Sequence, residues 1–271
     1  MVAARRTQAA GLVPETVQQW ARDYVTSRSL ETKFAPGAPP DTWASDSAPL
    51  RLDGPGRPSV LDLVGKTKRS IPREQMRNPR KRAQLIHTFL HHELQAAELM
   101  CWALLAFPNT PNAFRRGLLG ICLDEIRHMG LYRDHLERLG FTVGDFPVRD
   151  WFWRRVASCE TPLQFVALMG MGLEGGNLDH TLRFEQWFEE AGDPEGAALQ
   201  KIVGDEEIAH VQFAVHWFRE WTDGVDFARW QDELVDPLTP TMMRGTTLDE
   251  TRRQRAGFSE EFLAQLSEWD A

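Results

Sequence analysis

The chain has 271 residues, 42% of them hydrophobic, and a formal net charge of −8, which is ample for one packed core and disfavours nonspecific attraction to nucleic acid or anionic membrane. Ten tryptophans and fifteen phenylalanines argue against disorder, and no run of about 18 apolar residues is present to span a bilayer. The opening MVAARRTQAAGLVPE lacks an apolar stretch long enough for a signal peptide, and cysteines 101, 122 and 159, odd in number and without a CxxC, read as buried thiols of a reducing cytoplasm.

In chain order, residues 14–30 suit a short amphipathic helix, and residues 35–58, rich in Pro, Gly, Ser and Asp, an extended arm. No alternation is long enough to build a sheet. Four long helical segments follow. The first runs from about Pro79 to Phe107. The turn PNTPN places Pro111 near the start of the second, which stops at Gly140. A connection of about 20 residues, containing the tryptophan-rich DWFWRR, leads to the third segment, capped by Thr161-Pro162 and running to about Glu190. Asp193-Pro194 caps the fourth, which ends near Asp223-Gly224, and short helical pieces fill the tail, with Ser259 a candidate cap. The expected organisation is an N-terminal helix and arm over 1–75, an all-α four-helix bundle over 76–224, and a C-terminal helical tail over 225–271. The short turns make two antiparallel hairpins. The long connection can travel the roughly 40 Å length of the bundle, as a single-crossover bundle requires.

The sequence contains two Glu-x-x-His tetrads, Glu125–His128 and Glu207–His210, one on the second helix and one on the fourth, in the matching contexts DEIRH and EEIAH. Residues three apart share a helix face, so each pair can hold one metal ion. A dinuclear site of this kind needs one further carboxylate from each remaining helix. Glu174 lies 33 residues before Glu207, with the DP turn between them. Glu93 lies 32 residues before Glu125, with PNTPN between them. In an antiparallel hairpin, positions equidistant from the turn stand level, so all four carboxylates fall at one height. Glu98 is the rival on the first helix, but it lies about 140° round from Glu93. Two divalent ions would neutralise four otherwise unstable buried carboxylates, and the oxygen-rich donor set suits iron or manganese. Asp124 and Glu206 are candidate partners that fix the imidazole tautomers, within or across helices. Tyr132 offers either a nearby phenol or a core tyrosine.

The third helix carries GMGLEGGN, residues 170–177, around Glu174. Each glycine costs a helix interior roughly 1 kcal/mol against alanine. Two explanations stand. Gly170 and Gly175 clear a cavity beside Glu174, where the helix bulges or leaves room for dioxygen or a substrate, or the glycines permit close helix packing. His91 and His92 read as packing or surface residues and His180 as structural, while His135, two turns beyond His128 on the same face, is too far to share its metal. The basic run 66–82 reads as a solvated helix approach, with a grip on tRNA as the other reading.

The set Glu93, Glu125-x-x-His128, Glu174, Glu207-x-x-His210 resembles the ferritin-like di-iron carboxylate superfamily. The strings HTFLHHELQAAEL, FRRGLLGICLDEIRHMGLY and GDEEIAHV resemble, more closely, a bacterial ferritin-like family catalogued as a domain of unknown function, over roughly residues 29–269. The tRNA-modifying non-haem di-iron hydroxylase is more distantly similar. The resemblance implies a four-helix bundle with a dinuclear iron site and dioxygen or peroxide chemistry, and names no substrate. The leading expectation is an oxygenase or oxidase with two iron ions, or manganese and iron. It takes dioxygen as co-substrate, a small organic molecule as substrate and an external electron donor, and a homodimer stays open. A tRNA hydroxylase and a non-catalytic iron-handling or peroxide-detoxifying protein are the alternatives.

Overall fold

Most helices begin at a side chain able to close their first turn. The computed structural model describes residues 14–65 and 71–270; the opening segment up to residue 13 and the part of the basic run over 66–70 lie outside the described residues. Helix α1 (Val17–Thr26) starts in a capping box between Thr16 and Gln19, and α2 (Leu30–Phe34) is capped by Ser29. An extended arm follows. The bundle consists of α3 (Pro79–Ala106), α4 (Asn112–Arg138), a third helix in three parts, and α8 (Pro194–Thr222). Pro111 is the residue just before α4, one position outside the expected place. Between α4 and the third helix lies α5 (Trp153–Val156). The tail holds α9 (Phe227–Asp232), α10 (Glu250–Arg255) and α11 (Glu260–Glu268), whose cap is Ser259. Among the described residues the only β pairing is an isolated bridge, Leu63 with Val148. The protein is all-α, as expected.

The third helix is not one continuous α-helix. It consists of α6 (Pro162–Phe165), a π-helical stretch Val166–Glu174, and α7 (Gly175–Glu190). The wider π turn needs extra backbone clearance, and its neighbours come very close. A Cβ on Gly170 would lie 2.3 Å from the Ala214 Cβ of α8, and one on Gly172 would lie 2.7 Å from Met243 Sδ of the tail. Close approach is therefore the main reason for glycine at 170. Gly175 is buried too, but it is less crowded; a Cβ there would meet Arg253 Nη1 at 3.4 Å, an ordinary contact. Gly170→Ala should cost about 1–3 kcal/mol by overpacking, whereas Gly175→Ala should be neutral or stabilise by up to about 1 kcal/mol. Denaturant melts of the two variants check this; equal stability would remove the explanation.

The long connection is fastened to α3 by one buried carboxamide. Gln95 Oε1 accepts from the Phe152 and Trp153 amides, at 3.1 and 3.2 Å, and Gln95 Nε2 donates to the Arg149 carbonyl at 3.1 Å. The tail is fastened to α7 by Asp179, which accepts from the Gly245 and Asp249 amides and pairs with fully buried Arg253 at 2.8 Å.

The apolar interior falls into two blocks. One joins α1 and the tail to the C-terminal half of α3, the N-terminal half of α4 and the π stretch. The other joins the opposite ends of α3 and α4 to α7 and the start of α8. Between them lies a polar layer containing Glu93, Glu125, Glu174 and Glu207, each buried.

Candidate metal centre

The six side chains singled out by spacing converge at this layer. Glu93, Glu125, His128 and Glu207 form one group and Glu125, Glu174 and His210 a second, each with donor atoms within 4.8 Å of one another. Glu125 belongs to both. His128 Nδ1 stands 3.5 Å from Glu125 and 3.7 Å from Glu93. His210 Nδ1 stands 3.1 Å from Glu125 and 3.2 Å from Glu207.

The outer ring nitrogens make a reciprocal pair of contacts. His128 Nε2 on α4 meets Glu206 of α8 at 2.7 Å, and His210 Nε2 on α8 meets Asp124 of α4 at 3.4 Å. Each partner thus comes from across the helix pair. Holding a proton on Nε2 leaves the inward Nδ1 available as a lone-pair donor. Glu206 is in turn paired with Arg127. Tyr132 is buried; its hydroxyl accepts from Gln200 at 3.3 Å, and burial, then the Glu93 charge, push its pKa well up. Sequence reasoning missed Asn177, whose Nδ2 donates to Glu207 Oε1 at 3.3 Å. It lies one turn beyond Glu174, a spacing that placed it near the layer but did not say whether it touched a carboxylate.

Glu98, the rival on α3, is fully buried but has partners of its own: Lys33 Nζ at 2.7 Å and Arg57 at 2.6 Å. Arg57 continues to Asp150 at 2.8 Å, and Asp150 to His91 at 3.1 Å. His135 bonds Asp193 at 3.2 Å, and His92 stacks on Phe152. In the described part of the basic run, Arg73 pairs with Glu190 and Arg82 with Asp193, so both are engaged within the fold.

The layer fits a metal better than it fits itself. Both carboxylate oxygens of Glu125, both of Glu174, and His128 Nδ1 are buried without a hydrogen-bond partner. Leaving such groups unsatisfied is costly. Burial and the neighbouring Glu125 carboxylate push Glu93 well above the usual range; burial and Glu207 do the same to Glu174. Burial opposes a charge on Glu125, but the Glu93 carboxyl and the two imidazoles facing it hold its pKa well down. Burial likewise opposes a charge on His128, yet Glu125 and Glu93 hold its pKa at about 11, and Glu207 leads the groups that raise His210. Below those raised pKa values Glu93, Glu174, His128 and His210 carry protons that a metal ion must displace. Metal affinity should therefore rise with pH through the neutral range, and loading should release protons. Calorimetry in buffers of different ionisation enthalpy reads that release; a binding heat independent of buffer would contradict it.

Gly170 lines a narrow apolar pocket with Met100, Phe165, Phe213 and Ala214, and Glu174 and His210 stand at its wall. Its volume of about 10 Å³ holds one water-sized molecule. Gly175 is not among its lining residues.

Fold and site together define an all-helical bundle with a buried carboxylate–imidazole cluster able to hold metal. The chain belongs to the family described as "Protein of unknown function (DUF455)", whose model matches residues 5–264. It is 24% identical over 210 residues to an uncharacterized protein of Haemophilus influenzae, a match covering 74% of this chain and 73% of that one. No solved structure matches the chain. Among the described residues no helix is long and apolar enough to cross a membrane.

Proposed function

We propose that the protein is a ferritin-like, non-haem dinuclear oxygenase or oxidase that uses dioxygen to oxidise a small organic substrate. The observation that carries this reading is the pair of donor groups sharing Glu125, with buried carboxylate oxygens that no protein donor satisfies. Two divalent ions would bring four positive charges to four carboxylates, and a set of four carboxylates with two imidazoles favours iron, or manganese with iron, over zinc.

Glu93, Glu125, His128 and Glu207 would hold one ion, and Glu125, Glu174 and His210 the other. When bound, the metal pair would pass electrons from an external donor to dioxygen, and so supply the oxidising chemistry for an organic substrate. The chain supplies the setting. Glu206 and Asp124 orient the imidazoles, and Asn177 holds one oxygen of Glu207. The apolar blocks on either side exclude water and strengthen electrostatics in the layer. The pocket beside Glu174 is no more than water-sized, so an organic substrate must reach the layer by another route or by displacing side chains.

Anaerobic iron loading with elemental analysis, followed by oxygen uptake, tests the reading. Two ions per chain and rapid uptake are expected. A folded chain that takes up less than one ion, or that loads iron and leaves oxygen untouched, removes it. Uptake that only tracks added ferrous iron, with no reducing-equivalent turnover, favours iron handling instead.

A further inference from the structure

The stretch DWFWRR has no part in the metal layer. With its neighbours it forms a cleft of about 330 Å³ on the long connection, lined by Arg149, Trp151, Arg154, Arg155, Ser158 and Asp236. Among the described residues no carboxylate lies within ion-pair distance of any of the three arginines, in a chain whose net charge is −8. Acidic partners are plentiful elsewhere, yet here three guanidinium groups gather unpaired.

The group is held in place. Arg155 lies over the Trp151 ring, its Cζ 4.1 Å from the centroid, and donates to the Trp151 carbonyl at 3.2 Å. Its Nε is buried without a hydrogen-bond partner. Burial, then the charges of Arg149 and Arg154, lower its pKa, as expected where like charges are forced together. The backbone of this stretch is fastened to α3 by Gln95. Guanidinium groups match phosphate oxygens in geometry and are weakly hydrated, so a phosphate held among the three also relieves their repulsion. Asp150, on the wall, is already taken by Arg57 and His91. Asp236 makes no ion pair among the described residues and is exposed on the cleft. Its carboxylate can accept from a hydroxyl and would repel a long polyanion. The concave shape and volume suit a small molecule.

We propose that Arg149, Arg154 and Arg155, with Asp236 in the same cleft, form a binding site for a small phosphate ester that carries hydroxyl groups, such as a sugar phosphate. The arginines take the phosphate and Asp236 a hydroxyl. The site faces solvent and does not depend on the metal centre.

Calorimetry on the full chain, with inorganic phosphate, glucose 6-phosphate and glucose as probes, tests this. Saturable binding of the ester is expected, tighter than of inorganic phosphate, with no binding of glucose. Arg154→Ala should weaken the ester about tenfold or more. Arg154 is exposed, so this variant should melt with the parent protein. Asp236→Asn should narrow the gap between ester and inorganic phosphate. Arg22→Ala, a remote exposed arginine, should change nothing. The proposal is overturned by absence of saturable ester binding up to about 10 mM. It is also overturned by equal effects of Arg154→Ala and Arg22→Ala, by an ester that binds no tighter than inorganic phosphate, or by an oligonucleotide that binds the cleft in preference to the ester.

Discussion

Glu125→Gln should empty both metal positions at once. Glu125 is the one carboxylate common to both donor groups, and its two oxygens face separate imidazoles. The amide is nearly the same size but brings no negative charge and offers only one oxygen. One ion would lose its oxygen donor, the other would keep only a neutral amide oxygen, and the charge balance would fall one short of four for both. Loss of even an outer partner of a metal ligand typically weakens binding about 10–100-fold, and loss of a shared ligand should exceed this for both ions. Elemental analysis should read well under one ion per chain, against two in the parent protein. Glu174→Gln should act mainly on the second group and leave about one ion. The sharing argument is lost if Glu125→Gln retains one tightly bound ion while Glu174→Gln loses both.

Glu98→Ala should do the opposite, leaving metal content intact and weakening the fold. Glu98 neutralises Lys33 and Arg57 in the interior, and these join the N-terminal helices and arm to α3. Removing one member of a buried pair typically costs about 3–5 kcal/mol, because the partner charge stays buried. The lower end is expected here. Lys33 also donates to the Tyr24 and Val25 carbonyls, its pKa is already lowered by burial, and it can shed its proton; Arg57 keeps Asp150. For a chain of this size that is a fall in melting temperature of roughly 6–12 °C. Iron content and melting temperature on the same sample decide the matter. A stable Glu98→Ala protein that has lost its metal would return the α3 ligand to Glu98 and take it from Glu93.

The sequence was informative where the information is periodic and local. Proline after Thr161 and after Asp193 set two helix starts, because a capping side chain and a residue without an amide proton suit the first turn. The intervals of 32 and 33 residues levelled four carboxylates, because two residues equally far from a tight turn must stand abreast. With the Glu-x-x-His spacing that puts each histidine on its glutamate's face, those facts brought Glu93, Glu125, His128, Glu174, Glu207 and His210 to one layer. What spacing could not supply was the identity of neighbours from distant parts of the chain. Lys33 and Arg57 claim Glu98 from about 65 and 41 positions away, and no helical angle foretells that. Glu206 and Asp124 reach the histidine of the opposite helix, because the α4–α8 packing brings them there. The glycines around Glu174 have a helix-level explanation in sequence and a packing one in space: Ala214 and Met243 approach a π-helical turn whose width only the assembled bundle sets. Local propensity and spacing determined which residues stand level. Tertiary packing decided which of them touch, since contact depends on how separate helices rotate and approach, and that is fixed by the whole core at once.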